Sequence, residues 1–189
     1  RCVKQTMSKK AMPLNGLKFI KGTPLQDLSL SSIPCPLMVE NWATWCPPCR
    51  TSIPHLTALQ KKVGDKAIII GVTTEAESAA GPFVQQMGAQ MDYRVAVDPG
   101  GRVTGPYMQA FGLSGIPSAF IISTDGQVTW AGHPMDPGCE AALMAAIAAA
   151  KPKLDPKKMS VEQLSTLSVK DLKQIARDQR IDISGCLEK

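Results

Sequence analysis

Cys46-Pro47-Pro48-Cys49-Arg50 stands where one kind of apolar pattern gives way to another, and that junction constrains the fold more than any other stretch. Before it runs Pro36-Leu37-Met38-Val39-Glu40-Asn41-Trp42, a segment of strand length. After it, Ile53, Leu56 and Leu59 fall at helical spacing. Two thiols separated by two residues at a helix start can close a small disulfide ring. The same position activates the first thiol, because the unpaired N–H groups and partial positive charge of a helix N-terminus favour thiolate over thiol. Thiolate is the attacking species in disulfide exchange. Proline fits a first helical turn because no N–H donor is needed there. The junction is therefore suited to passing electron pairs between thiols.

Away from the junction, strand and helix patterns alternate. Residues 17–20 read as a short strand, with Thr23 capping a brief helical turn through Leu28. Residues 37–42 are a central strand and 46–63 a helix. The β-branched run 66–72 is a buried strand. Gly81-Pro82 opens a helix to about Met87, 93–98 is a strand, and 103–111 is a helix stopped by Gly112. Residues 119–122 and 127–130 flank Thr124-Asp125-Gly126, a hairpin signal. An alanine-rich helix covers 140–150. This order implies a mostly parallel sheet covered on both faces, with an antiparallel edge from the hairpin.

The bulk numbers exclude several classes. No run of about eighteen apolar residues exists to span a membrane. The basic start, Arg1 to Lys10, lacks the apolar stretch of a secretory signal, and an opening Arg is expected of a processed end. Net charge is +5, with 12 basic against 10 acidic residues up to 150 and nine against six beyond. Neither part is a block of like charge, so the balance favours solubility over nucleic-acid affinity. Of the six cysteines, only Cys46 and Cys49 are close in sequence, and no second pair completes a zinc ribbon. The sparse remainder points to a reducing compartment and a cytoplasmic location.

The run Trp42-Ala43-Thr44-Trp45-Cys46-Pro47-Pro48-Cys49-Arg50, then Gly115-Ile116-Pro117, then the hairpin and closing helix, resembles the thioredoxin superfamily. The TlpA-like branch of thiol:disulfide oxidoreductases is the nearest likeness, and tryparedoxins share its Pro-Pro dipeptide where typical thioredoxin has Gly-Pro. The resemblance covers about 14–150 and implies an α/β thioredoxin fold, a central mixed sheet flanked by helices. It makes Cys46 the nucleophile and Cys49 the resolving thiol. Pro117 matches a cis-proline that sets the Ile116 backbone beside the disulfide, where substrate pairs. Trp45, Pro47 and Pro48 line the substrate side. Glu40 falls where the family often buries an acid or amide behind the resolving cysteine; a buried carboxylate has a raised pKa and can take the Cys49 proton. A satisfied structural carboxylate is the other reading of Glu40. The partners implied are disulfide-containing proteins and an upstream thiol reductant, with no metal or organic cofactor.

Other residues have blander readings. His133 reads as a solvent-exposed loop residue, or as an imidazolium near the disulfide. Cys35, Cys139 and Cys186 read as small hydrophobes or inert surface thiols, or as regulatory sites. Residues 151–158, with two prolines and scattered charge, are a linker. Residues 159–189 resemble the first half of a SAP-like helical module. Ser160 and Ser168 are placed to cap its helices, with Gln163 and Asp171 three residues on, and Leu164, Leu167, Leu172 and Ile175 form its apolar stripe. Such a module contacts a protein or nucleic acid. Two alternatives to protein-disulfide exchange follow: a thiol peroxidase on the same fold, against which stands the lack of a Pro-x-x-x-Thr-x-x-Cys motif, and a redox-gated adaptor whose C-terminal module recruits a partner.

Overall fold

The computed structural model describes residues 9–25, 27–30 and 33–150, together with 168, 169, 172, 173 and 176. Seven strands lie within these residues: β1 (Lys9–Lys10), β2 (Lys18–Lys21), β3 (Leu37–Asn41), β4 (Ile68–Thr73), β5 (Arg94–Val97), β6 (Ser118–Ile122) and β7 (Gln127–Gly132). The helices are α1 (Pro47–Val63), α2 (Glu77–Met87), α3 (Thr104–Ala110) and α4 (Pro137–Ala149). The strands form one sheet in the order β1-β7-β6-β3-β4-β5-β2. It is mixed, as expected, but not mostly parallel. Only β3–β4 and β4–β5 are parallel, while β1–β7, β7–β6, β6–β3 and β5–β2 are antiparallel. Alternation gives parallel neighbours only where each crossover returns to the next place in the sheet, as those through α1 and α2 do. The crossover through α3 carries the chain back past β3, and β6 enters on its far side in the opposite direction.

β3 is buried at every position, so its period-2 alternation serves two cores. Met38 and Trp42 pack on one face with Ile53 and Leu56 of α1, Val84 of α2 and Leu143 of α4. Leu37 and Val39 pack on the other with Tyr107 of α3 and with Leu14 and Leu17 from the entering segment. Gly71, in β4, is where the first core closes most tightly. A Cβ there would lie 2.9 Å from Tyr93 Cε2 and 3.1 Å from Trp42 Nε1. At the hairpin, Gly126 has φ +76°, the left-handed conformation that the Asp-Gly turn requires.

Several expected boundaries move. α2 starts at Glu77, a turn before Gly81-Pro82, and holds Pro82 inside it. A proline near a helix start removes a single i→i−4 bond, so its position is a poor marker of the first residue. α4 starts at Pro137 rather than Glu140, because the Asp136 side chain accepts the Gly138 N–H and Pro137 takes the first helical position. The turn expected at 23–28 is not helical among its described residues. Thr23 precedes Pro24, which disfavours helical backbone, and its carbonyl accepts Arg94 Nε instead.

Backbone contacts divide the chain into Arg1–Ala150 and Lys151–Lys189. In the second unit the Leu172 N–H bonds the Ser168 carbonyl at 3.0 Å, one helical turn on. Leu172 is exposed there and Ala176 is buried. Residues 151–158, Ser160, Gln163, Leu164, Leu167, Asp171 and Ile175 lie outside the described residues. So do Cys2 and Cys186. Among the described residues no helix is long and apolar enough to cross a membrane.

Candidate active site

Cys46 and Cys49 are joined by a disulfide, with Cα atoms 5.3 Å apart. Cys46 is the N-cap of α1, in extended backbone, and Pro47 and Pro48 are the first helical residues. The Cys46 carbonyl accepts the N–H groups of Cys49 and Arg50, and its sulfur accepts the Cys49 N–H at 3.2 Å. A cysteine sulfur thus takes the place that a serine or aspartate oxygen fills in an ordinary cap. On reduction the same donor faces the Cys46 thiolate, at the positive end of a 17-residue helix, and favours that charged form.

The Ile116–Pro117 peptide is cis. It brings the Ile116 carbonyl oxygen to 3.8 Å from Cys46 Sγ, although 70 residues separate them in sequence. Cys46 is 2% exposed and Cys49 fully buried, whereas Trp45 is 70% exposed. Pro47 and Pro48 are exposed, Ile116 half-buried and Pro117 buried. Exposed Trp45, Pro47 and Pro48 thus flank the buried Cys46 in the chain, and the Ile116 carbonyl approaches its sulfur.

Glu40 lies on β3, fully buried. Its Oε1 accepts the Ser52 hydroxyl at 2.7 Å and its Oε2 accepts the Tyr93 hydroxyl at 3.3 Å. Burial pushes the Glu40 carboxyl up to about 7, and the Ser52 and Tyr93 bonds offset only part of that rise. Tyr93 is itself held well above its ordinary range, by burial first and then by the Glu40 charge. Ser52 Oγ also lies 3.0 Å from the Cys49 carbonyl oxygen. A hydroxyl has one proton to give, and both states of Glu40 suit this arrangement. Ionised, Glu40 accepts from Ser52; protonated, it donates to Ser52, which then donates to Cys49 O.

Ser52 and Tyr93 were not singled out by the sequence reading. Ser52 was within reach of it, because Cys49, Ser52, Ile53 and Leu56 follow helical spacing along one buried face. Tyr93 meets Glu40 across 53 residues, and no local pattern marks that contact. Asn41, the last residue of β3, and Trp42 just after it bury side-chain atoms Nδ2, Oδ1 and Nε1 without a protein partner. His133 is exposed, and its Nδ1 accepts the Met135 N–H within its own turn. Cys139 is a fully buried free thiol in the first turn of α4. Burial, then the Asp136 charge, pushes it up to about 12, so it stays protonated at neutral pH. Cys35 is half-buried. Among the described residues no group of three or more His, Cys, Asp or Glu side chains is placed to hold a metal.

A sequence model of the AhpC/TSA family matches residues 11–131. A second, for the E3 ubiquitin-protein ligase rififylin-like domain, matches 158–189. The thiol-disulfide oxidoreductase ResA of Bacillus anthracis is 35% identical over 89 residues, 46% of this chain and 48% of that protein. A thiol:disulfide interchange protein DsbE homolog of Paracoccus denitrificans is 35% identical over 92 residues, 48% of this chain and 46% of that one. The chain thus spans about half the length of the curated relatives it matches. Among solved structures, one from Chlorobium tepidum named for the thiol:disulfide interchange protein DsbE superimposes with a TM-score of 0.58 at 25% identity. That match covers 74% of this chain and 98% of the other.

Proposed function

Because this chain belongs to the AhpC/TSA family, we propose that it is a thiol:disulfide oxidoreductase acting on protein substrates through Cys46-Pro47-Pro48-Cys49. The observation that carries this reading is a disulfide that caps α1 and faces the Ile116 backbone. The names of the ResA and DsbE relatives support it.

In the reductive direction, the Cys46 thiolate attacks one sulfur of a substrate disulfide. A mixed disulfide forms and one substrate thiolate leaves. Cys49 passes its proton to Glu40 and attacks Cys46 Sγ, which remakes the internal disulfide and releases the second substrate thiolate. The substrate gains two electrons and leaves as two thiolates, which take up two protons, the one held by Glu40 and the one Cys46 released on ionising. An upstream thiol reductant restores the dithiol. Run backwards, the same steps oxidise a client. Glu40 suits its part because a carboxyl with a pKa of about 7 exchanges protons freely near neutrality. The step needs no metal or organic cofactor.

Cys49→Ser leaves the attacking sulfur but removes the resolving one. This variant is expected to accumulate a mixed disulfide through Cys46 with a disulfide-bonded protein, visible by intact mass under non-reducing conditions. Cys46→Ser is expected to trap none. A Cys49→Ser protein that forms no adduct, or forms it elsewhere, contradicts the reading.

The match over 158–189 favours a second activity beside the first, in which the C-terminal segment recruits a partner protein. Deleting 151–189 then abolishes partner capture and leaves disulfide exchange intact. A thiol peroxidase on this fold is the remaining alternative. It calls for consumption of peroxide with a thiol donor, and failure of that assay removes it.

A further inference from the structure

Thr44 stands two residues before Cys46 and next to exposed Trp45, and all of its polar groups are held by side chains from elsewhere. Its N–H donates to Glu75 Oε2 at 2.7 Å and its hydroxyl to Glu75 Oε1 at 2.7 Å. Its carbonyl accepts Arg50 Nη2 at 2.8 Å and Nε at 3.2 Å. Glu75 is anchored in turn, because the Thr73 hydroxyl donates to Oε2 at 3.1 Å and accepts the Glu75 N–H at 3.2 Å. The Arg50 guanidinium lies over the Phe83 ring, 5.5 Å from its centroid, and Phe83 stacks on Trp42 at 5.4 Å. The turn carrying Trp45 is therefore gripped from two sides: from the loop after β4, and from the first turn of α1 backed by α2.

We propose that Glu75 is a positioning residue that fixes the 44–46 turn and so presents Trp45 to protein substrates. This inference rests on the thiol:disulfide reading above. The chemistry of the clamp is specific to a carboxylate. Two donors on one residue meet two acceptor oxygens on another, and only an ionised carboxyl offers both without a competing donor. A large apolar ring that is 70% exposed, on backbone already held in place, loses little conformational freedom when a client docks on it. The α1 N-terminus and the Cys49 N–H, which act on the Cys46 sulfur itself, are made without Glu75. The clamp thus belongs to recognition of extended clients rather than to thiol reactivity.

The test compares the wild type with Glu75→Gln, Thr44→Val and Thr44→Ser, using disulfide-bonded insulin and a small aromatic disulfide as substrates and dithiothreitol as donor. Glu75→Gln replaces one acceptor with a donor, Thr44→Val deletes only the hydroxyl, and Thr44→Ser keeps it. The first two are expected to raise KM for insulin about three- to tenfold, with kcat and turnover of the small disulfide within about twofold of wild type. Thr44→Ser is expected to match the wild type. In parallel, exchange of the Thr44 amide hydrogen is expected to speed up in Glu75→Gln. An unchanged KM in both disruptive variants, a Thr44→Ser protein as impaired as Thr44→Val, or an equal loss on both substrates overturns the proposal. A wild type that turns over neither substrate overturns the functional reading instead, and the amide exchange still reports on the clamp.

Discussion

Glu40 is a carboxyl whose protonation state is set by its place in the fold. Its pKa rises from 4.5 to about 7 on burial, so the folded chain holds this proton more tightly than the unfolded chain does. Below the unfolded value both states are protonated and nothing is lost. As pH rises from about 4.5 to about 7, the unfolded chain ionises first and stability falls by about 3 kcal/mol, then levels off once folded Glu40 ionises too. Glu40→Gln keeps an acceptor for Ser52 and removes the titration. Denaturant unfolding of both oxidised proteins is expected to give similar stabilities near pH 4, with the variant ahead by up to that amount at pH 8. Parallel pH profiles would show that Glu40 is not the buried acid described. Ser52 supplies the larger of the two bonds that favour the ionised form, so Ser52→Ala is expected to move the Glu40 midpoint further up. A carboxyl-carbon NMR titration reads that shift, and a midpoint that falls or stays put contradicts the network.

Among the elements, β3 and α1 do most to place the site: the strand delivers Glu40 to the face that α1 covers, and the helix begins at the reactive sulfur. β4 brings a second constraint through Gly71, which has no room for a side chain between Tyr93 and Trp42. Gly71→Ala is expected to cost about 1–3 kcal/mol, because the clash falls on ring atoms packed in the core. A thermal melt at wild-type temperature would show that the rings give way freely. These elements were legible in the sequence because their signals are local. The apolar run of β3, the helical spacing after Cys49 and the Asp-Gly hairpin each lie within a short window. Pairing is not local. β2 was readable as a strand, but nothing in Lys18–Lys21 says that it runs antiparallel to β5, whose Val97 and Ala96 face Lys18 and Phe19. β1 consists of two exposed lysines and has no apolar pattern at all. Within the site, Cys46, Cys49, Pro117 and Glu40 stood out by motif. Tyr93, Glu75 and Thr44 did not, because each acts through a contact more than 30 residues away in sequence.

At the scale of the whole molecule, one mixed sheet brings four separate segments to a single point: the end of β3, the start of α1, the loop after β4 and the cis turn before β6. They carry the buried acid, the thiol pair, the clamp on the preceding turn and the backbone beside the sulfur. The central claim is that the Cys46–Cys49 pair cycles between dithiol and disulfide rather than serving as a fixed cross-link. The most direct measurement is its reduction potential, by equilibration in thiol–disulfide buffers followed by alkylation and mass spectrometry of the peptide carrying both cysteines. The account predicts one two-electron transition at that pair, within about −120 to −270 mV, which Cys46→Ser abolishes. A pair that stays oxidised below about −300 mV would behave as a structural disulfide and would contradict it.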